Sequence, residues 1–470
     1  MGKLLKTYLM PHPPIMVHEV GRGEEGKIIS TVNSAGKVAE EIGKLRPDVI
    51  IILVPPHGPS FYDAMSINTG EYIKGNLGRF GAYNLRYDYK IDSDIVSKII
   101  EKSAENHIPT ASVDEDTPKR YRIPYELDHG SMVPLYFVNQ KYRNYKLVHV
   151  TYGLLSNEEL YEFGRIVREA VEECGENAVY IASGDLSHRL THDAPAGFSP
   201  RGHEFDEKIV EYLRQMDVDA IMNMDADLTE SAGECGYRSI ITAMGTLDGY
   251  DVKSYVYSYE GPFGVGYCIA GFDMLNRDDK NRKVDDYFKL KKERVRKIRE
   301  KEDEYVSLAR QSLEHYIREG KVMDIPDSLP PEMTRNRSGV FVSLKKNGQL
   351  RGCIGTIEGV RSNIAEEIIR NAISAGTQDP RFYPVEEEEL DQIIYSVDIL
   401  KKSMPVRSKD ELDVKKYGII VRCGRRSGLL LPNIEGVDTV DDQISIALQK
   451  GRIDEEENYS MEKFEVTRHR

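Results

Sequence analysis

The chain has 470 residues, too many for one hydrophobic core, so two domains or more are expected. Apolar residues make up 40% and charged residues 30%, ordinary for a globular protein, and the net charge of −14 argues against a nucleic-acid surface. No apolar run approaches the roughly 20 residues that a membrane helix needs. The start, "MGKLLKTYLMPHPP", has two lysines but too short an apolar segment for a secretory signal. Five cysteines, at 174, 235, 268, 353 and 423, lack disulfide-type spacing, as expected of a cytoplasmic chain with reduced thiols.

In chain order, "KTYLM" at 6–10 reads as a short strand, "GKVAEEIGKL" at 36–45 as a helix, and "DVIIILV" at 48–54 as a buried strand. Ser156 and Glu159 form a capping-box pattern that opens a helix over 157–174, with Gly175 as its stop. The strand "AVYIAS" at 178–183 follows directly. Strands joined by helices predict an α/β domain with a mostly parallel sheet covered by helices.

Each of three strands empties into a histidine turn: Pro11-His12-Pro13-Pro14, Pro55-Pro56-His57-Gly58 and Gly184-Asp185-Leu186-Ser187-His188. Ligands of open α/β sheets bind beyond the carboxyl ends of strands, so these histidines can converge. Neutral imidazoles suit divalent transition metals, and two of them with one carboxylate leave coordination positions open. His12 and His57 are the first candidate ligands, each in a proline-flanked turn expected to hold its ring without further support. Glu234 in "SAGECGYRSIITAMG" is the candidate carboxylate, or else an acid at a helix start. His188 is a candidate proton carrier. His129, in "ELDHGSMVPLYF", either lines the same pocket or caps a helix. Taken singly, each of these histidines also reads as a loop residue. Asp185 and Ser187 also read as groups that satisfy a turn. His149 within "YKLVHVTYG" reads as pointing into or across the sheet.

The ordered set "PHPP", "PPHG", "LDHGSMVPL" at 127–135, "GDLSH" and "ECGY" at 234–237 resembles the class III extradiol ring-cleavage dioxygenases and the related Memo proteins, over nearly all of 1–276. The resemblance implies Fe(II) held by His12, His57 and Glu234, with His188 as acid/base and His129 contacting substrate or oxygen. It implies an oxidoreductase that opens a catechol-type ring with dioxygen. Memo proteins carry a cysteine before the glycine of the last motif, which makes Cys235 the alternative third ligand. A carboxylate favours iron or manganese and a thiolate favours softer metals such as copper. Glu234 therefore points to oxygen chemistry, and Cys235 to a Memo-like redox or interaction protein. Metal-dependent hydrolysis by the same triad is a third reading.

The stretch 277–302 is mostly charged and reads as a solvated helix or linker. From 303 to 470 the pattern is α+β: a helix over 304–319 stopped by Gly320, a hairpin turning at Asn347-Gly348, and a short helix opened by Glu386–Glu389. "GIIVRCGRRSGLLLP" reads as two strands around a basic turn. Cys353 in "LRGCIG", beside Arg351, is either a nucleophile activated by a cation or an inert strand cysteine. "LRGCIGT", "DPRFYPV" at 379–385 and "GLLLPNIEGVDTVDDQI" at 428–444 resemble the AMMECR family. The pairing of Memo-like and AMMECR-like domains implies work alongside a radical-SAM protein.

Overall fold

The computed structural model describes residues 2–57, 60–123, 125–434 and 437–470. Gly58 of the second histidine motif and Glu435-Gly436 of the last AMMECR-like motif lie outside the described residues. The chain divides into two compact units, 1–288 and 289–470, and the boundary falls inside the helix Val284–Arg299, within the charged stretch.

The first unit is built on β1 (Lys3–Met10), β2 (Val49–Val54), β3 (Met65–Asn68), β6 (Thr110–Val113), β7 (Lys146–Thr151), β8 (Asn177–Ser183), β9 (Tyr250–Glu260) and β10 (Tyr267–Arg277). They form one sheet in the order β6-β3-β7-β2-β8-β1-β10-β9. Strands β7, β2, β8 and β1 run parallel, while β1 pairs with β10 and β3 with β7 antiparallel, so the sheet is parallel at its centre and mixed outward. Every residue of β2 is buried, as a parallel strand with both faces covered requires. The helix Ile29–Leu45 packs with His129–Asn139, and Asn157–Cys174 packs with Tyr237–Thr246, flanking the sheet. Both halves of the Ser156/Glu159 capping box form, and Gly175 ends its helix at a φ of 87°. A separate hairpin, β4 (Tyr72–Leu77) with β5 (Ala82–Lys90), pairs with no strand of this sheet.

The second unit carries two four-stranded antiparallel sheets and the helices Glu304–Glu319, Ile364–Thr377 and Val440–Gly451. Its hairpin Val340–Lys346/Gln349–Gly355 turns at Asn347 and Gly348, both with left-handed φ, the backbone that suits strand twist. Among the described residues, no helix is long and apolar enough to cross a membrane.

Candidate metal centre

Strands β2, β8 and β1 are neighbours and parallel, so Leu53 lies beside Ala182 and Met10 beside Ser183 at one sheet edge. The turns after these strands are thereby forced together. His12 Nε2 lies 3.1 Å from His57 Nε2 and 3.7 Å from Cys235 Sγ. His188 Nε2 lies 3.9 Å from Cys235 Sγ, and Asp185 Oδ2 is 3.9 Å from Nε2 of both His12 and His188. Two overlapping ligand groups result, His12–His57–Cys235 and Asp185–His188–Cys235.

These separations test the fit of a metal. Metal–nitrogen bonds of about 2.0–2.1 Å and metal–sulfur bonds of about 2.3 Å in a tetrahedron put ligand atoms roughly 3.3–3.6 Å apart. The observed 3.1 and 3.7 Å bracket that range.

The tautomers also fit. Ser183 Oγ donates to the Gly130 carbonyl at 2.6 Å, so it accepts from His12 Nδ1–H at 2.9 Å, leaving the Nε2 lone pair for the site. His57 Nδ1 donates to Asp128 Oδ2 at 2.9 Å, with the same consequence. The expectation that proline turns alone would hold these rings is corrected here. Proline fixes its own φ but leaves a neighbour's χ1 and χ2 free, so each ring needs a partner for its other nitrogen. Asp128 serves twice, since it also caps the helix His129–Asn139 by accepting the Ser131 amide at 3.0 Å.

Burial, and then the imidazoles of His57 and His129, push His12 well below an ordinary histidine, so it is neutral and fit to ligate. Burial and His57 likewise lower His129 to about 4, and burial lowers His188. Burial raises Asp128, but the hydrogen bond from His57 and the neighbouring imidazoles outweigh it and hold the carboxyl below its usual range. Burial, and then Asp185, push the Cys235 thiol well above its usual value. A bound cation reverses that preference, since a coordinating thiol is deprotonated outright.

Glu234 and Cys235 have different partners. The Glu234 carboxylate accepts the Tyr237 amide at the start of the helix Tyr237–Thr246, and burial raises it to about 7. Among the described residues it belongs to neither ligand group, and the alternative third ligand, Cys235, belongs to both. His129 opens the helix His129–Asn139, its ring centroid 4.1 Å from that of His57 and 5.4 Å from that of His12. His149 is buried, with Nε2 2.8 Å from Ser131 Oγ. Sequence reasoning missed Asp128, Ser183 and Ser131 as supports. The helix His129–Asn139 is capped by Asp128 and not by His129, the cap expected from the sequence. The Asp-x-x-Ser spacing before an apolar helix was the available signal for it, whereas nothing in the sequence signals its bond to His57.

A cavity of about 530 Å³ opens beside His57 and His129, walled by β3, β7, the hairpin β4–β5 and residues 125–129. In the second unit, Cys353 accepts a hydrogen bond from Ser343 Oγ at 3.2 Å, and burial raises its thiol. Arg351 is turned to Glu389 at 2.7 Å, and the guanidinium that touches Cys353 is Arg381, donating to its carbonyl at 3.2 Å. Arg351 therefore supplies no activating charge to the thiol.

Because Asp128 fixes His57, Asp128→Asn should weaken metal binding roughly 10- to 100-fold with the fold intact. Chelator competition checks this, and unchanged affinity would show that His57 needs no such support.

A sheet whose carboxyl edge gathers imidazoles and a thiol defines an α/β domain with a candidate metal site. Residues 6–270 match the family described as the catalytic LigB subunit of aromatic ring-opening dioxygenase, and 306–470 match AMMECR1. The chain belongs to the LigB family, a metal-dependent family, and carries an AMMECR1 domain after it. A protein of Clostridium acetobutylicum is 48% identical over 464 residues, 98% of each chain. A Thermotoga maritima protein is 50% identical over 171 residues, 36% of this chain and 98% of its own. Among solved structures, an uncharacterized protein from Pyrococcus horikoshii is similar at 30% identity and a TM-score of 0.33, over 35% of this chain and 88% of its own.

Proposed function

We propose that the first unit is a metal-dependent redox protein, with iron or copper held by His12, His57 and Cys235 and a small reactant bound in the adjoining cavity. The observation that carries this reading is the approach of the Cys235 thiol, and not the Glu234 carboxylate, to the two histidines. A His₂–thiolate set is softer than a His₂–carboxylate set and favours electron transfer or tight metal binding. The bound metal would supply the redox chemistry. The chain's own part is to hold His12 and His57 in one tautomer through Ser183 and Asp128. His188, with Nε2 3.9 Å from Asp185 Oδ2, is suited to take a proton from a reactant hydroxyl.

His12 is already neutral, so the proton displaced by a metal is the thiol's. Affinity should therefore rise about tenfold per pH unit above pH 7, read by competition with a chelator of known pH dependence. A flat profile would show that the thiol is not a ligand.

Anaerobic reconstitution with ferrous or cuprous ion, metal quantification and oxygen uptake with a panel of catechols test the proposal. One tight metal per chain without diol-dependent uptake supports it, and no bound metal overturns it. Ring opening of a catechol-type substrate with Fe(II) is the second reading, supported by His188 and His129 beside the ligand groups; diol-dependent uptake would establish it instead. The AMMECR1 domain supports a further proposal, that the chain works with a radical-SAM protein. Copurification without such a partner would count against that.

A further inference from the structure

The cavity beside His57 is larger than one aromatic ring requires, at about 530 Å³, within the range of sites for two-part, drug-sized ligands. Its walls are unequal. Phe80, Tyr83 and His129 give it an aromatic side, with Phe80 and His129 edge to face at 5.5 Å between centroids. β3 also lines it, and there Ser66 is only 6% exposed and its hydroxyl has no hydrogen-bond partner. Ser60 Oγ, also in the lining, is buried and unpartnered too. An unpaired buried hydroxyl is costly, and a ligand group that meets it removes the cost. Next on the wall, Asn68 Oδ1 already accepts from Tyr125 at 2.9 Å and from the Gly70 amide at 3.1 Å, so what Asn68 offers a ligand is its NH₂.

The charges in the lining are already paired, Asp128 with His57 at 2.9 Å and Glu126 with Arg79 at 3.2 Å. Among the described lining residues, no lysine or unpaired arginine stands ready for an anion.

We propose that this cavity binds an aromatic compound by a neutral hydrogen-bonding substituent, a hydroxyl or an amide, held at Ser66 and Asn68, and rejects the matching carboxylate. The inference deepens the reading above and rests on it only for which end of the ligand faces the histidines. Burying a carboxylate's charge against Ser66 and Asn68 costs more than two neutral donors return, because no unpaired cation lies in the described lining. A neutral amide donates to Ser66 and accepts from Asn68 at no such cost.

The test uses the full chain without metal and two probes, 3,4-dihydroxybenzamide and 3,4-dihydroxybenzoate, compared by ligand-observed NMR titration. The amide should bind at least about tenfold tighter. Ser66→Ala should weaken the amide about fivefold and leave the benzoate unmoved, the loss expected of one hydrogen bond. Ser66→Val, which fills the wall, should weaken both, and an unchanged melting temperature shows that either variant is folded. Equal or tighter binding of the benzoate, no binding of either probe, or an amide affinity indifferent to Ser66→Ala would overturn the inference. Since no metal is present, those failures leave the metal reading intact, and failed reconstitution leaves this comparison intact.

Discussion

Cys235→Ser should reduce bound metal from about one per chain to below about a tenth, while Glu234→Gln leaves it bound. The serine hydroxyl does not ionise near neutral pH, so the set His12–His57–Cys235 loses its only anion. Glu234 has a different duty. Its carboxylate accepts the Tyr237 amide where a helix begins, and a glutamine keeps one acceptor there. The second variant should therefore cost at most about 1 kcal/mol of stability, the usual scale for a helix-start contact. Metal content after desalting, with melting temperatures in parallel, decides the matter. The reverse pattern would return Glu234 to the metal and the function to carboxylate-supported oxygen chemistry.

Gly184→Ala has the next largest expected effect. A Cβ there would lie 2.3 Å from Gly236 Cα, and one on Gly236 would lie 2.8 Å from the Asp185 carbonyl oxygen. Both obstacles are backbone, which cannot swing aside as a side chain can. This close approach joins the loop after β8 to the loop of Cys235. Asp185 N donates to Cys235 Sγ at 3.3 Å, Cys235 N donates to the Asp185 carbonyl at 3.3 Å, and Ser239 donates to the Ser183 carbonyl at 2.8 Å. Alanine should part the loops, destabilise the first unit by about 1–3 kcal/mol or more, and abolish metal binding with it. A variant with unchanged melting temperature and full metal content would show that the two loops have room to give.

Much of this site was legible in the sequence, because its geometry follows from strand order. Apolar runs ending in His12, His57 and His188 announced strands whose carboxyl ends carry chemistry, and parallel neighbours bring such ends together. The Ser156/Glu159 box and Gly175 are local signals that need no tertiary information, and they hold to the residue. The hairpin at Asn347-Gly348 is of the same kind. The choice between Glu234 and Cys235 was not legible. The two are consecutive, and which one meets His12 depends on how the loop after Gly233 lies against Asp185. The supports of the rings were hidden for a related reason. Asp128 is 71 residues from His57 and Ser183 is 171 from His12, so no spacing rule reaches them. The mixed outer sheet was hidden too, since β10 and β9 return antiparallel with no helix between them to advertise a crossover.

The most direct measurement of the central claim is X-ray absorption at the metal edge of the reconstituted full chain. One sulfur at about 2.3 Å with imidazole nitrogens at about 2.0–2.1 Å is expected, the sulfur absent in Cys235→Ser. A shell of nitrogen and oxygen alone in the unaltered chain would contradict thiolate ligation and put a carboxylate in the place of the Cys235 thiol.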